Sequence, residues 1–171
     1  MIKITHLTSA HPRFDTRIFI KMCSSLAKKK NYKVSLIVAD NKGDEVKNDV
    51  EILDVGRLKG RLNRILKTTQ NVFVRAVELN SDIYHIHDPE LIPVGLRLKK
   101  MGKKVIFDAH EDLSLQILSK SYLNPMVRGF LSKTYLLFEK FAYKKFDYII
   151  TATPHIRDKF AKINQNCMDI N

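Results

Sequence analysis

Two hydrophobic patterns take turns along this chain. Short β-prone runs occupy residues 2–7, 34–39, 50–55, 82–86, 105–107, 148–152 and 167–170. The first alternates, whereas 34–39 is nearly continuous in apolar residues, as a strand covered on both faces should be. Between the runs, apolar residues recur at helical spacing. Phe19, Met22, Cys23, Leu26 and Ala27 fall at i, i+3, i+4, i+7 and i+8, which predicts an amphipathic helix. Asp15 or Thr16 would cap it, and Lys28 to Lys30 would sit at its negative pole. Leu62, Ile65, Leu66, Phe73, Ala76 and Val77 form the stripe of a second helix. Leu91, Val94 and Leu98 give the buried face of a third, which Gly102 ends. Its start is Asp88-Pro89-Glu90: a cap, a proline at the first helical position and an acid in the first turn. Val127, Phe130, Leu131, Phe138, Phe141 and Ala142 mark a long helix begun at Asn124-Pro125. A last helix runs from Thr153-Pro154 through Ile156, Phe160 and Ile163. Residues 41–48 read as a polar turn.

Strands alternating with helices imply parallel strands joined by right-handed crossovers. The expected fold is α/β: a doubly wound, mostly parallel Rossmann-like sheet with helices on both faces. No repeat or linker interrupts the order, so residues 1–171 read as a single domain.

Composition narrows the class. The 171 residues suit one ordinary domain, and 44% hydrophobic content excludes a disordered chain. Cys23 and Cys167 stand far apart with no metal-binding spacing, which excludes a disulfide scaffold or zinc module, and Cys23 reads as a buried thiol. No apolar run approaches the ~20 residues of a membrane span. The first residues, MIKITHLTSAHPRFD, are not a signal peptide, so a cytoplasmic protein is expected. With 30 Lys plus Arg against 18 Asp plus Glu, the net charge is +12. That points to an anionic partner: nucleic acid, lipid headgroups or a phosphorylated molecule.

In an open parallel sheet, ligands bind beyond the carboxyl ends of the strands. There the chain places His6 and the loop 9–15, then Asp40, then His87 and Asp88, then Asp108, His110, Glu111 and Asp112, then Thr153 and His155. Five of six histidines thus fall at one edge. Asp88 and Asp15 also read as helix caps, His155 as a solvated residue and His85 as a core group. His87 and His110 each follow a buried strand in a polar loop, where imidazoles serve hydrogen bonding or proton chemistry. Histidines and carboxylates could compose a metal site, but from separate loops without a spacing signature, so no metal is expected. No glycine-rich phosphate loop follows the first strand, where His11-Pro12-Arg13 stands instead. No GxSxG motif or catalytic-cysteine context is visible.

From Arg57 to Arg75 there are six cations and no acid: Arg57, Lys59, Arg61, Arg64, Lys67 and Arg75. Interleaved with Leu62, Ile65 and Leu66, they form either a solvated helix face or a basic amphipathic surface for an anionic membrane or phosphorylated acceptor. The long helix adds Arg128, Lys133, Lys140, Lys144 and Lys145. No nucleic-acid-binding signature accompanies this charge, so no nucleic-acid partner is expected.

Three stretches carry a family resemblance: HLTSAHPRFDTRIF at 6–19, DIYHIHDPELIPVGLRLKKMGKKVIFDAHED at 82–112 and FEKFAYKKFDYIITATPHIRDKF at 138–160. Together they resemble the N-terminal, acceptor-side domain of retaining GT-B glycosyltransferases of the family 4 type. The resemblance implies a two-domain enzyme whose C-terminal domain holds a nucleotide-diphosphate sugar and whose N-terminal domain supplies the acceptor groove. Transfer would need no cofactor and no obligatory metal. By position, His110 matches the family histidine that touches the transferred sugar and is the candidate catalytic residue. His11, Arg13, Asp15, Arg17, His87, Asp88, Glu111 and Asp112 match the acceptor and sugar wall. The acceptor would be a polysaccharide or lipid-linked glycan. Arg57, Lys59, Arg61, Arg64 and Lys67 would make peripheral contact at the inner membrane face. The chain stops at Asn171, where the second domain would begin, so a fragment unable to transfer sugar alone is expected. The competing expectation is a non-catalytic module that binds anionic membrane or polysaccharide.

Overall fold

Strand β1 (Ile2–Leu7) lies between β2 (Tyr32–Val38) and β5 (Ile83–Ile86) and runs parallel to both. Beyond β2 comes β4 (Val50–Asp54), also parallel, and β3 (Glu45–Lys47) closes that edge antiparallel to β4. The order here is β3-β4-β2-β1-β5. The residues expected as a polar turn therefore contain β3. A charged edge strand, open to water on one side, carries no hydrophobic signal to announce it.

This is a computed structural model that describes residues 1–109, 112–122 and 124–170. The chain forms two compact units, Met1–Ile106 and the remainder from Phe107. The expected α/β Rossmann-like architecture is present.

Register settles the faces of the sheet in the first unit. Ile4 and Val34 share one face with His6, Leu36 and His85, while Thr5, Ser35 and Tyr84 share the other. Helix α1 (Thr16–Cys23, continued by Ser24–Ala27) covers the former. Its Ile18, Phe19 and Cys23 pack on Val34, Leu36, Val38, Val50 and Ile52. Burial of the Cys23 thiol raises its pKa, so it stays protonated. Helix α2 runs through Arg61–Asn63, Arg64–Thr68 and Thr69–Leu79 on the other face, where the Tyr84 hydroxyl donates to the Ala76 carbonyl at 2.7 Å. Its buried positions are Thr68, Thr69, Val72 and Ala76. Leu62 and Leu66, expected in the buried stripe, are 75% and 67% exposed. Helix α3 (Pro89–Leu91, then Ile92–Lys100) buries Leu91, Val94 and Leu98 as expected. Gly102 follows with φ +79°, a left-handed conformation that suits glycine.

The second unit begins within β6 (Lys104–Ala109) and continues through α4 (Leu113–Leu118), α5 (Pro125–Tyr143), β7 (Tyr148–Thr151), α6 (Pro154–Ala161) and β8 (Cys167–Asp169). Strand β8 is parallel to β7. Helix α5 starts where Asn124 accepts from Met126 N–H at 2.9 Å, just before the proline. Its buried residues are Ser132, Glu139, Ala142 and Tyr143. Val127, Phe130, Leu131, Phe138 and Phe141, which marked the helix in the sequence, are exposed. Tyr143 anchors the core, with ring centroids 5.0 Å from Phe107 and 4.8 Å from Phe160. Among the described residues, no helix is long and apolar enough to cross a membrane.

Candidate functional site

The carboxyl ends of β1 and β5 lie side by side, because the two strands are adjacent and parallel. The loop that leaves β1 and the residues that leave β5 therefore meet. Asp88 is the hub. One carboxylate oxygen accepts from Ser9 N–H at 2.6 Å, the Thr8 hydroxyl at 2.8 Å and Ala10 N–H at 3.2 Å. The other lies 2.8 Å from His11 Nδ1. Thr8 Oγ1 accepts in turn from His11 N–H at 3.0 Å. The loop is thus folded around one buried carboxylate. Burial alone would raise the Asp88 pKa, but His11, Ser9 N–H and Thr8 outweigh it and hold the group at about 2. At neutral pH Asp88 is ionised.

This corrects one of the sequence-based readings. Asp88 stands at the cap position of α3, yet its side chain makes no cap bond. Its partners lie about eighty positions earlier in the chain, beyond any local signature. Asp15 is a cap, accepting from Arg17 N–H at 2.9 Å and Ile18 N–H at 2.8 Å.

Glu90 widens the site. Its carboxylate lies 3.3 Å from the Ser9 hydroxyl and forms a 2.8 Å ion pair with Arg64 Nε. Arg64, expected at a membrane-facing surface, thus joins the rim, where its side chain is partly exposed alongside that of His11. Ser9 lies in the loop expected at this edge, whereas Glu90 and Thr8 were not among the residues expected at the site. Only the position of Thr8 directly after the first strand could have signalled it.

Other expected residues are placed differently. Arg13 is buried and forked onto Asp40, with Nε 2.7 Å and Nη2 2.6 Å from the two carboxylate oxygens. It also pairs with Glu45 and donates to the Gly43 carbonyl at 3.0 Å. The guanidinium lowers the Asp40 pKa. These bonds fix the edge of the sheet and give Arg13 a packing role. Arg17 is half-buried. His87 is buried and its Nε2 lies 2.9 Å from His6 Nδ1. Asp112, in the second unit, accepts from Leu115 N–H at the start of α4 and pairs with Lys159 at 2.7 Å. Arg57, Lys59 and Lys67 are exposed, and His155 is exposed too. His110 and Glu111 lie outside the described residues, as does the Arg61 side chain.

Chemically, an ionised, fully engaged carboxylate presets the loop and orients one imidazole. A neutral His11 donates its Nδ1 proton toward Asp88, which makes Nε2 the basic nitrogen. The rim therefore gathers an imidazole, a carboxylate and a guanidinium, groups that recognise hydroxyls and anions.

Residues 16–166 match the family model described as Glycosyltransferase Family 4. No protein with a curated description matches the sequence. Solved structures share the fold at low identity. A sucrose-phosphate synthase from Thermosynechococcus elongatus superposes with a TM-score of 0.67 at 12% identity, over 99% of this chain and 47% of that one. A ugt transferase from Siraitia grosvenorii in complex with UDP gives 0.64 at 8% identity, over 99% and 50%. An alpha,alpha-trehalose-phosphate synthase (UDP-forming) from Burkholderia xenovorans, in complex with glucose-6-phosphate, gives 0.58 at 13% identity, over 95% and 43%. The chain spans about half the length of each of these proteins.

Proposed function

The chain belongs to glycosyltransferase family 4, and from that premise we propose that it is the acceptor-binding half of a retaining glycosyltransferase. The whole enzyme moves a sugar from a nucleotide-diphosphate sugar, held mainly by a second domain, to a polysaccharide or lipid-linked acceptor. The observation that supports this reading is the loop folded on Asp88, with His11, Glu90 and Arg64 grouped beside it at the carboxyl ends of parallel strands. In an α/β sheet that edge is where ligands sit.

In this role Asp88 does not touch the acceptor. It holds the Thr8–His11 backbone and fixes the His11 tautomer. His11 accepts from an acceptor hydroxyl, while Glu90 and Arg64 position neighbouring hydroxyls or an anionic group. His110 contacts the transferred sugar. With that assignment, His110→Ala in the full-length enzyme lowers turnover while the circular dichroism spectrum stays unchanged. Unchanged activity removes His110 from the mechanism. Residues 1–171 assayed alone with nucleotide sugars transfer nothing, and turnover by this chain alone overturns the division of labour.

Peripheral membrane contact is part of the same proposal. Leu58, Leu62 and Leu66 are exposed among Arg57, Lys59 and Lys67, the composition of an interfacial amphipathic segment. The same surface favours, as a second reading, a non-catalytic module that binds anionic membrane or polysaccharide. Nucleotide-sugar turnover by the full-length protein separates the two.

A further inference from the structure

Beneath the Asp88 loop lies a second constellation, which the acceptor reading does not use. His6 and His85 are directly opposite each other in the β1–β5 register. His87 follows two positions later, on the same face by strand alternation. Its N–H still pairs with the Leu7 carbonyl at 3.1 Å, so the ladder continues to it. The three imidazoles form a tight group, with ring centroids 4.8, 4.4 and 5.2 Å apart and all three residues buried. One candidate ligand nitrogen from each ring lies within 4.8 Å of the others.

Such positions in central strands normally carry apolar side chains, and three imidazoles there call for a chemical reason. An ion bound tetrahedrally at the usual metal–nitrogen distance of about 2.0–2.1 Å separates two ligand nitrogens by roughly 3.3 Å. His6 Nδ1 and His87 Nε2 stand 2.9 Å apart, a hydrogen-bond contact that an ion would open by a few tenths of an ångström. His85 supplies the third nitrogen, within 4.8 Å of the other two. The donor set is wholly imidazole, with no carboxylate or thiolate, which suits zinc and its d-block neighbours and disfavours magnesium and calcium. We propose that His6, His85 and His87 form a binding site for one divalent transition-metal ion of the zinc class, tying β1 to β5 directly below the candidate acceptor loop. The loop is coupled to the site through the chain itself. His87 immediately precedes Asp88, and His6 lies two residues before Thr8. Linear spacing gives no sign of such a site, because its ligands come from two strands almost eighty residues apart.

The test is a titration of the chelator-treated chain with zinc chloride and, in parallel, cobalt(II) chloride. The expected result is saturable binding of one ion per chain and visible d–d absorption from cobalt in a nitrogen-rich site. In long-range proton–nitrogen NMR spectra, the His6, His85 and His87 ring signals shift while those of His155 do not. Magnesium chloride moves none of them. His85→Ala or His87→Ala weakens binding by about 100-fold or more, whereas His155→Ala binds as the parent does. The NMR readout on the unmodified chain keeps the test decisive even where a histidine variant fails to fold. The proposal is overturned by the absence of one-to-one binding, by shifts confined to other histidines, or by undiminished affinity in folded His85→Ala and His87→Ala chains. The cluster is then a hydrogen-bonded trio of core imidazoles. None of these outcomes bears on whether the full-length protein transfers sugar.

Discussion

Each unit shares one cation between two carboxylates, Arg13 buried in the first and Lys159 partly exposed in the second, and the two arrangements have opposite consequences. In the first unit, Arg13 forks onto Asp40 and also meets Glu45, which remains more than one-third exposed. Water supports Glu45, so the guanidinium can serve Asp40 fully, and the Asp40 pKa is lowered. In the second unit, Lys159 reaches Asp112 at 2.7 Å, Ser114 Oγ at 2.9 Å and Glu139 at 3.3 Å. Its three protons are all used, and Glu139 is fully buried. For Asp112, burial works against ionisation but Lys159 and Ser114 outweigh it, and the pKa falls. For Glu139 burial prevails over the more distant Lys159, and the pKa rises. One ammonium, already closer to Asp112, does not offset the desolvation of the fully buried Glu139. The first unit avoids that conflict by leaving its second acid in water.

The largest expected effect comes from breaking the first arrangement. Arg13→Ala strands Asp40 beside Glu45 and should cost about 3 kcal/mol in denaturant unfolding. It should also change the acid limb of the stability curve. Asp40 has a depressed folded pKa, so its contribution is complete above the ordinary value of about 4 and is lost as pH falls through the folded value. In Arg13→Ala that part of the acid-side loss should be gone. If the variant matches the parent at every pH, the fork contributes nothing.

Next comes Asp88→Ala, which frees the loop donors that the carboxylate collects. A loss of about 2 kcal/mol is expected, together with faster amide exchange at Ser9, Ala10 and His11. Unaltered exchange at those amides would show that the loop holds its shape without Asp88.

Glu139→Gln should be smaller and opposite in sign. The folded pKa of Glu139 is raised, so its contribution is fully present below about 4.3 and is lost as pH rises through the folded value. Removing the charge should make the variant as stable as the parent, or up to about 1 kcal/mol more stable, at neutral pH. The fall in stability as pH rises above about 4.3 should also be reduced. A variant less stable than the parent at neutral pH would show that Lys159 fully serves both acids.

The smallest effect belongs to charges that water already supports. Replacing Arg57, Lys59 and Lys67 with Gln should leave stability within about 0.5 kcal/mol. The same triple change should abolish salt-sensitive binding to anionic vesicles. Binding that survives the change places any membrane contact elsewhere.

Much of the fold was legible along the chain. The first strand, the caps at Asp15 and Asn124, the proline starts of three helices and the glycine after α3 all appear where local pattern put them. Each rests on interactions within a few residues. The edge strand β3 was missed because its three residues hold a single apolar side chain, Val46, which is itself exposed. The site was only half legible. Its location at the carboxyl edge followed from the α/β order, and His11 and Asp88 were expected there. Their ion pair, the role of Glu90 and the move of Arg64 to the rim were not, because each depends on groups from separate elements.

Helix α5 marks the boundary between the two kinds of information. Its apolar residues occur around much of its circumference, so composition and capping specify a helix from Pro125 to Tyr143 without specifying which side turns inward. Packing against α4 and the Phe107–Phe160 core chose the side that carries Ser132, Glu139 and Tyr143. The sequence alone determined which segments are helix and strand, because hydrogen bonds and caps between near neighbours decide that. Only the tertiary structure decided which face is buried and which distant donors surround a given carboxylate, because those energies exist only once separate segments meet.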